Sequence, residues 1–560
     1  MPSARALLQQ LRKSRADFGV AADATRRHAL AELASARVTT LRALLDYHED
    51  LLFLCAFPGS DETRRAAIVE LDRFAHRWRG RAAWRAAAGN SGIAGTVSRP
   101  PLAWPLAQAW IAQEDIDLDW ADVEDPAAFD ALVAQLVGAA ERDAYEGGDY
   151  SAREWITLAR RRGERAAAWL VREASANTPR GFAAAWESAQ VPVRWALGDS
   201  RRSATHARLR VMPVIRRGFR RLERPVVEHV ADPLERIDLL KGSQARAVID
   251  LARAALAVRA REVMAINYPN PAEVYLADLG EGVRLALIGV APDHRLVLEA
   301  NYGYLLLSNG VPVGYGGVSP LHRQANTGIN IFDPFRGSEA AFLWAQMLRT
   351  FQTLFGVGRF VINGYQFGAG NSEAIASGAY WFYYRLGFRP SLPDNADLAA
   401  NEAARLRREP GSRTRPAVLQ RLARGDLYLD LADFDARDYF DEALLGRLGA
   451  AVARRIATSD APSHRDGEAG LVRAVARDLG IHRSLATPRR RALARLLPLA
   501  ALLDLARWSA QERRSLGDWL LSKGDAQQRA FAQGATAQVR FFREMSALAQ
   551  KERDRPPSER

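Results

Sequence analysis

The stretch YGYLLLSNGVPVGYGGV, Tyr302 to Val318, constrains this chain more than any other. Asn309-Gly310 stands between two runs rich in aliphatic and aromatic residues. A two-residue type I′ turn needs positive φ at both central positions, which Asn and Gly adopt most readily, so the stretch predicts a β-hairpin. Its surroundings extend the sheet. EVYLADL (Glu273–Leu279) and VRLALIGV (Val283–Val290) read as two strands about the Gly-rich turn GEG, HRLVLEA (His294–Ala300) as a third, and TGINIFD (Thr327–Asp333) as a continuation. The sheet is expected to be mostly antiparallel.

Beyond Gly337 the apolar period changes from two to about 3.6. SEAAFLWAQMLRTFQTLFG places Leu343, Met347, Leu348, Phe351 and Leu354 on one helical side and ends at Gly356. RFVINGYQF from Arg359 reads as a strand, Ser372 to Leu386 as a helix closing at Gly387, and DLYLDL from Asp426 as a late strand after an exposed polar insertion, Pro393 to Pro416. Both flanks read as helical. ETRRAAIVELDRFAHRW puts Ala67, Ile68, Leu71, Phe74 and Ala75 on one stripe, with Ser60-Asp61 as its start. Helices are expected near 126–144, 151–174 and 244–264, and again from Ala436 to Lys551. The division is a helical domain over 1–261, a mixed α/β domain over 262–432, a helical domain over 433–551 and a solvated tail over 552–560. No internal repeat or low-complexity tract appears.

At 560 residues and 48% hydrophobic, the chain can bury several cores. A formal charge of +13 and a pI near 10.1 raise the question of a polyanionic partner, nucleic acid included. The charge is nearly all Arg, with Lys13, Lys241, Lys523 and Lys551 the only lysines. Three Arg-rich runs carry it: ARRRGER at Ala159, RLRVMPVIRRGFRRLERP at Arg208 and TPRRRALARL at Thr487. The second interleaves apolar residues so that a helix would give it one apolar and one basic face. Cys55 is the only cysteine, which rules out an intramolecular disulfide and a multi-Cys zinc site and fits a reducing compartment. The first residues hold no secretory apolar run, and LLPLAALLDLA from Leu496 is too short to span a bilayer and is broken by Asp504. A soluble, cytoplasmic protein without a membrane span is expected.

The order of strands, hairpin, strand, helix, strand, helix and late strand converges on AYWFYYRLGF, Ala379 to Phe388. In this segment, about Glu262 to Leu431, the chain resembles the GNAT superfamily of acyl-CoA-dependent N-acyltransferases. That family ends its last core helix with A-x-x-[LF]-Y-x-[KR]-x-G-F, and Ala379, Phe382, Tyr383, Arg385, Gly387 and Phe388 stand at those positions. The resemblance implies a mixed α+β fold with a central, mostly antiparallel sheet, and it nominates Tyr383 as general acid for the departing thiolate. A second family feature, [QR]-x-x-G-x-[GA] between a bulged strand and the following helix, presents backbone N–H groups to the pyrophosphate of coenzyme A. A helix N-terminus carries unpaired donors and partial positive charge, so the placement is physically apt. DPFRGSEAAF lies there. The resemblance implies cofactor contacts for acetyl-CoA or another acyl-CoA at Ile331, Asp333, Arg336, Gly337, Ser338 and Ala341. Glu339 replaces the central Gly, and Ala376 stands where the family has Asn, with Asn371 upstream. A carboxylate at 339 repels phosphate unless it points away into solvent.

Acyl transfer to an amine, from a small molecule or a peptide, needs the amine deprotonated, the thioester held against strand N–H groups and the thiolate reprotonated. Tyr365, Glu373, His322 and Tyr383 are the candidate groups near strand edges. Glu373 suits a helix start and Tyr383 suits a core position with its hydroxyl toward water. Gly387 and Pro390 also make AYWFYYRLGFRP a well-formed helix end. Elsewhere, GNSGIAGT at Gly89 has neither the P-loop Lys nor GxGxxG spacing and reads as a tight loop. EDIDLDWADVED at Glu114 fits no EF-hand and reads as an acidic face, with docking to the Arg runs as an alternative. His48, Glu49 and Asp50 form no metal pattern. No G-x-S-x-G elbow is present. Three readings stand: an N-acyltransferase, a non-catalytic scaffold of the same fold, and a nucleic-acid-associated protein.

Overall fold

The computed structural model describes residues 3–177, 179–337, 339–432, 434–481 and 485–553. Three short strands come first, β1 (Val97–Ser98), β2 (Ile116–Leu118) and β3 (Val193–Ala196), and pair antiparallel in the order β1-β3-β2. The main sheet follows with β4 (Asp238–Leu240), β5 (Pro269–Gly280), β6 (Val283–Val290), β7 (Tyr302–Ser308) and β8 (Val311–Leu321). It is completed by β9 (Gln324–Thr327), β10 (Asn330–Ile331), β11 (Arg359–Ile362), β12 (Arg389–Pro390) and β13 (Leu427–Asp430). The order is β12-β13-β11-β9-β8-β7-β6-β5-β4, with β10 beside β8. Among the described strands only β9 and β11 run parallel. The fold is therefore mixed α+β around a mostly antiparallel sheet with helical flanks.

The hairpin forms as expected, with φ of 47° at Asn309 and 79° at Gly310. A parallel pair requires a crossover, and the helix Ala340–Phe355 provides it between β10 and β11. Trp344, Met347, Leu348, Phe351 and Phe355 on this helix are fully buried against the sheet, and Gly356 closes it at φ 67°. His294–Ala300, expected as a strand, is not one. Arg295 is drawn into the interior instead, donating to the carbonyls of Lys523 (2.7 Å), Asp525 (2.7 Å) and Ala526 (3.0 Å).

The first flank is helical, yet it also holds β1 to β3 and is built on two cores. Residues from Leu7 to Ile93 share one hydrophobic core with Tyr302, Phe351 and Tyr383 of the central unit. Residues from Leu102 to Ala204 bury Trp104, Trp110, Trp155, Trp169, Trp186 and Trp195 around their own centre, closed by Ala254, Ala257 and Val258. Sheet pairing also begins before residue 262, because β4 pairs with β5 and the helix Gly242–Ala257 packs on the sheet.

The Arg208 run is not a two-faced helix. It lies extended as a strap: Leu209 N donates to Gly310 O (2.9 Å), Val214 N to Asn309 Oδ1 (2.7 Å), and Phe219 packs edge-on against Phe18 and Phe57. Pro213 removes one helix donor, and the hairpin tip supplies the bonds that a helix would have made internally. In the acidic stretch, Glu114 pairs with Arg202, and Arg165 of the first Arg run donates to the carbonyls of Ile111 and Ile116.

The second flank is helical from Leu444 to Arg553, and the tail beyond 553 lies outside the described residues. No helix among the described residues is long and apolar enough to cross a membrane. His322 sits where this flank meets the sheet, its Nδ1 bonded to Ala535 O (3.0 Å) and its ring stacked on Phe542 at 4.4 Å. Burial pushes its pKa down to about 4 from 6.5. The native state thus binds fewer protons than the unfolded state between those values, so this contribution is complete above pH 6.5 and is lost as pH falls toward 4. A His322→Gln variant is expected to lose about 2 kcal/mol less stability than wild type between pH 7 and pH 5 in urea unfolding. Parallel curves for the two proteins would remove His322 as the source.

Candidate functional site

A cavity of about 980 Å³ opens where β9 and β11 part. The two strands pair only over Gln324/Arg359, Ala325/Phe360 and Asn326/Val361. Beyond Asn326 the first strand stays with β8, Asn330 opposite Tyr315, while the second turns off at Asn363, whose Oδ1 caps Tyr365 N at 2.9 Å. Phe332 N donates to Val313 O (3.0 Å), so alternation along an antiparallel pair turns the N–H and C=O of Ile331 away from β8. The Ile331 carbonyl accepts from Arg336 Nε at 3.3 Å, and its N–H faces the split with no protein acceptor among the described residues. Ile331 thus presents a free strand donor to the cavity.

Above this edge stands the N-terminus of the helix Ala340–Phe355. Its first internal bond runs from Leu343 N to Glu339 O (3.0 Å), so the N–H groups of the opening turn have no acceptor within the helix. Gly337 takes φ 79°, a conformation that suits glycine, and with Arg336 and Ala340 it lines the cavity. Arg336 bonds to Asp333 Oδ1 (3.0 Å) and Glu373 Oε1 (2.8 Å). Hydrogen bonding from Arg336 holds the Glu373 carboxyl below its usual range, so Glu373 is an anchor for Arg336 and a weakened base. Glu339 departs from expectation in direction: it points neither at the cavity nor into solvent. Its side chain is fully buried, with Oε2 at 2.5 Å from Arg216 Nη2 and 2.9 Å from Arg220 N.

The first flank forms the opposite wall. Leu45, His48, Glu49 and Leu52 reach the cavity from the helix Leu41–Ala56, Asn90 and Ser91 from the Gly-rich loop, and Arg259 and Arg261 from the connection into the sheet. His48 bonds through Nε2 to Thr205 Oγ1 (2.9 Å), and burial lowers its pKa to about 3, so it is neutral at physiological pH. Among the described residues Arg259 has no carboxylate within ion-pair distance. Its guanidinium donates to Ala255 O (2.7 Å) and lies 4.2 Å over the Phe332 ring, and burial lowers its pKa to about 10. An Arg so placed favours an anionic ligand.

Of the residues nominated from the sequence, Ile331, Asp333, Arg336 and Gly337 share this cavity. Ser338 lies outside the described residues, and Ala341 sits half-buried in the opening helical turn beside the lining residue Ala340. Tyr383 is 2% exposed and stands behind the wall that Ala379 and Phe382 form. Its hydroxyl accepts from Ile329 N (3.4 Å), occupying the split where β11 has left the ladder, and burial pushes its pKa up to about 12. Tyr365 is 57% exposed and also borders a second cavity of about 330 Å³, lined by Asn326, Asn363, Asp426, Asp441 and Glu442. His322 lines neither cavity. Arg216, Arg259 and Arg261 were not among the nominations; the alternation of Arg with apolar residues near Arg216 was the one available signal. Among the described residues no group of His, Cys, Asp or Glu is placed to hold a metal ion. Comparison with known proteins finds no matching family model, no matching curated protein and no matching solved structure.

Proposed function

We propose that this protein transfers an acyl group from an acyl-CoA, or a related carrier, to an amine. The observation that carries the reading is the helix N-terminus at Gly337 and Ala340 opening onto the same cavity as the free strand edge of Ile331. Helix donors with Arg336 suit a pyrophosphate, and Arg259 and Arg261 add cationic charge from the facing wall. The Ile331 N–H is available to an extended amide or thioester arm laid along the split. Tyr383 keeps its proton throughout the neutral range, and because its oxygen is already accepting from Ile329, that proton is free to pass to a thiolate reaching the split. The amine enters on this reading from the smaller cavity, where Asp426, Asp441 and Glu442 attract an ammonium.

Thermal unfolding with acetyl-CoA, coenzyme A and a longer acyl-CoA tests binding. A hundredfold excess over Kd is expected to stabilise the native state by about 2.7 kcal/mol, and Arg336→Glu to abolish the shift. Tyr383→Phe is expected to lower turnover about 10²-fold while costing only about 1 kcal/mol of stability through the lost bond to Ile329 N. A non-catalytic scaffold is the second reading, favoured by the placement of Tyr383 behind the cavity wall. A full ligand shift with no thiol release against a panel of amines selects it, whereas no shift with any of the three ligands removes the acyl-CoA reading.

A further inference from the structure

We propose that Arg216 is a positioning residue for the anion site: it withdraws the Glu339 carboxylate from the helix mouth and so lets a turn that carries a glutamate accept a phosphate. The inference rests on the acyl-CoA reading above, and it explains how a chain with the wrong residue at the centre of the turn keeps the site open.

Three observations carry it. Gly337, two residues before Glu339, and Ala340, directly after it, line the cavity, whereas Glu339 does not. Its side chain is fully buried on the far side, as is that of Arg216, with 2.5 Å between Oε2 and Nη2. Arg216 is in turn fixed from three directions: its own N–H donates to Pro58 O (2.7 Å), Nη1 donates to Glu281 O (2.8 Å), and its guanidinium stands 5.4 Å from the Phe57 ring centre. A guanidinium held this firmly, 123 residues before the turn, sets where the carboxylate rests. Freed from it, Glu339 would keep only the Arg220 N–H (2.9 Å) for a full negative charge, and the opening amides of its own helix, the groups a phosphate would use, would compete for it. Capping and ligand binding would then compete for the same N–H groups, with like-charge repulsion added.

The test is titration calorimetry of coenzyme A and of inorganic pyrophosphate into wild type, Arg216→Gln, Glu339→Gln and the double variant R216Q/E339Q. R216Q is expected to weaken both probes about tenfold or more, the equivalent of at least one unlike-to-like charge change at the mouth. E339Q and the double variant are expected to bind within about threefold of wild type. Rescue of binding by the second substitution, with an R216Q protein shown by circular dichroism and Tm to be folded at the assay temperature, separates positioning from a general loss of structure, since E339Q also removes the buried charge that R216Q strands. Should R216Q fail to fold, Glu339→Asp serves: its shorter arm cannot span to Arg216 and keeps the charge near the turn, so it should bind more weakly than E339Q. Wild-type affinity in a folded R216Q or in E339D overturns the proposal, as does a double variant that stays weak. Wild type binding neither probe overturns the acyl-CoA reading and this inference together, whereas tight wild-type binding with an unaffected R216Q removes only the role of Arg216.

Discussion

Arg295→Met is expected to cost about 3–5 kcal/mol and to release the C-terminal flank before the sheet unfolds. The guanidinium is 1% exposed and is shared among the carbonyls of Val290, Lys523, Asp525 and Ala526, with Glu273 at 3.7 Å as its counter-charge. Methionine fills the volume and donates nothing, so several buried acceptors lose their partners at once. Glu273 retains Tyr302 Oη (2.7 Å) and Arg529 N (3.0 Å) but loses its nearest cation. Urea unfolding by tryptophan fluorescence gives the magnitude, and limited proteolysis gives the place: cleavage should begin between residues 523 and 529. A loss under 1 kcal/mol, or first cleavage elsewhere, would show that the apolar contacts of Leu298 and Leu321 with the flank are sufficient to hold it.

Gly310→Ala is expected to cost about 2–4 kcal/mol, more than a left-handed glycine usually accounts for. Two penalties coincide. The residue has φ 79°, and an added Cβ would stand well inside contact distance of the Leu209 carbonyl oxygen, a backbone atom that cannot rotate aside. To admit it, the strap must lift, breaking Leu209 N to Gly310 O. Gly356→Ala is the control, since Gly356 has φ 67° but open space around the new Cβ. It should cost about 1 kcal/mol. Equal losses in the two variants would mean that the strap does not bear on the hairpin tip.

The features that sequence reveals here are the local ones. Asn309-Gly310, the Gly356 and Gly387 helix ends and the Ser60 cap, whose Oγ accepts from Thr63 N at 3.1 Å, are each settled within four residues by steric rules. What stayed hidden depends on distance along the chain. The conflict at Glu339 is visible from charge alone, but its resolution lies in an Arg that the sequence surrounds with others of its kind. β1 and β2 are two and three residues long, too short for alternation to register, and they exist only because β3 joins them. The motif around Tyr383 draws attention to that residue, and its hydroxyl meets Ile329 N at the strand split. Which side of the wall its hydroxyl occupies follows from the packing of Phe382 and Ala379, which periodicity does not encode.

The shared core of the first flank and the sheet has a consequence for how the chain comes into being. Leu7, Leu30, Phe53 and Phe74 are made early, and the residues that cover them, through Tyr302, Phe351 and Tyr383, are made late. At ordinary rates of synthesis the interval is on the order of 15–60 s, during which the first helices can pack on one another but lack the sheet that completes their core. The tryptophan-rich unit, by contrast, meets its last partner at Val258 and can close while the sheet is still unmade. The Trp-rich unit can therefore finish first, while the first helices wait on the sheet for the last part of their core.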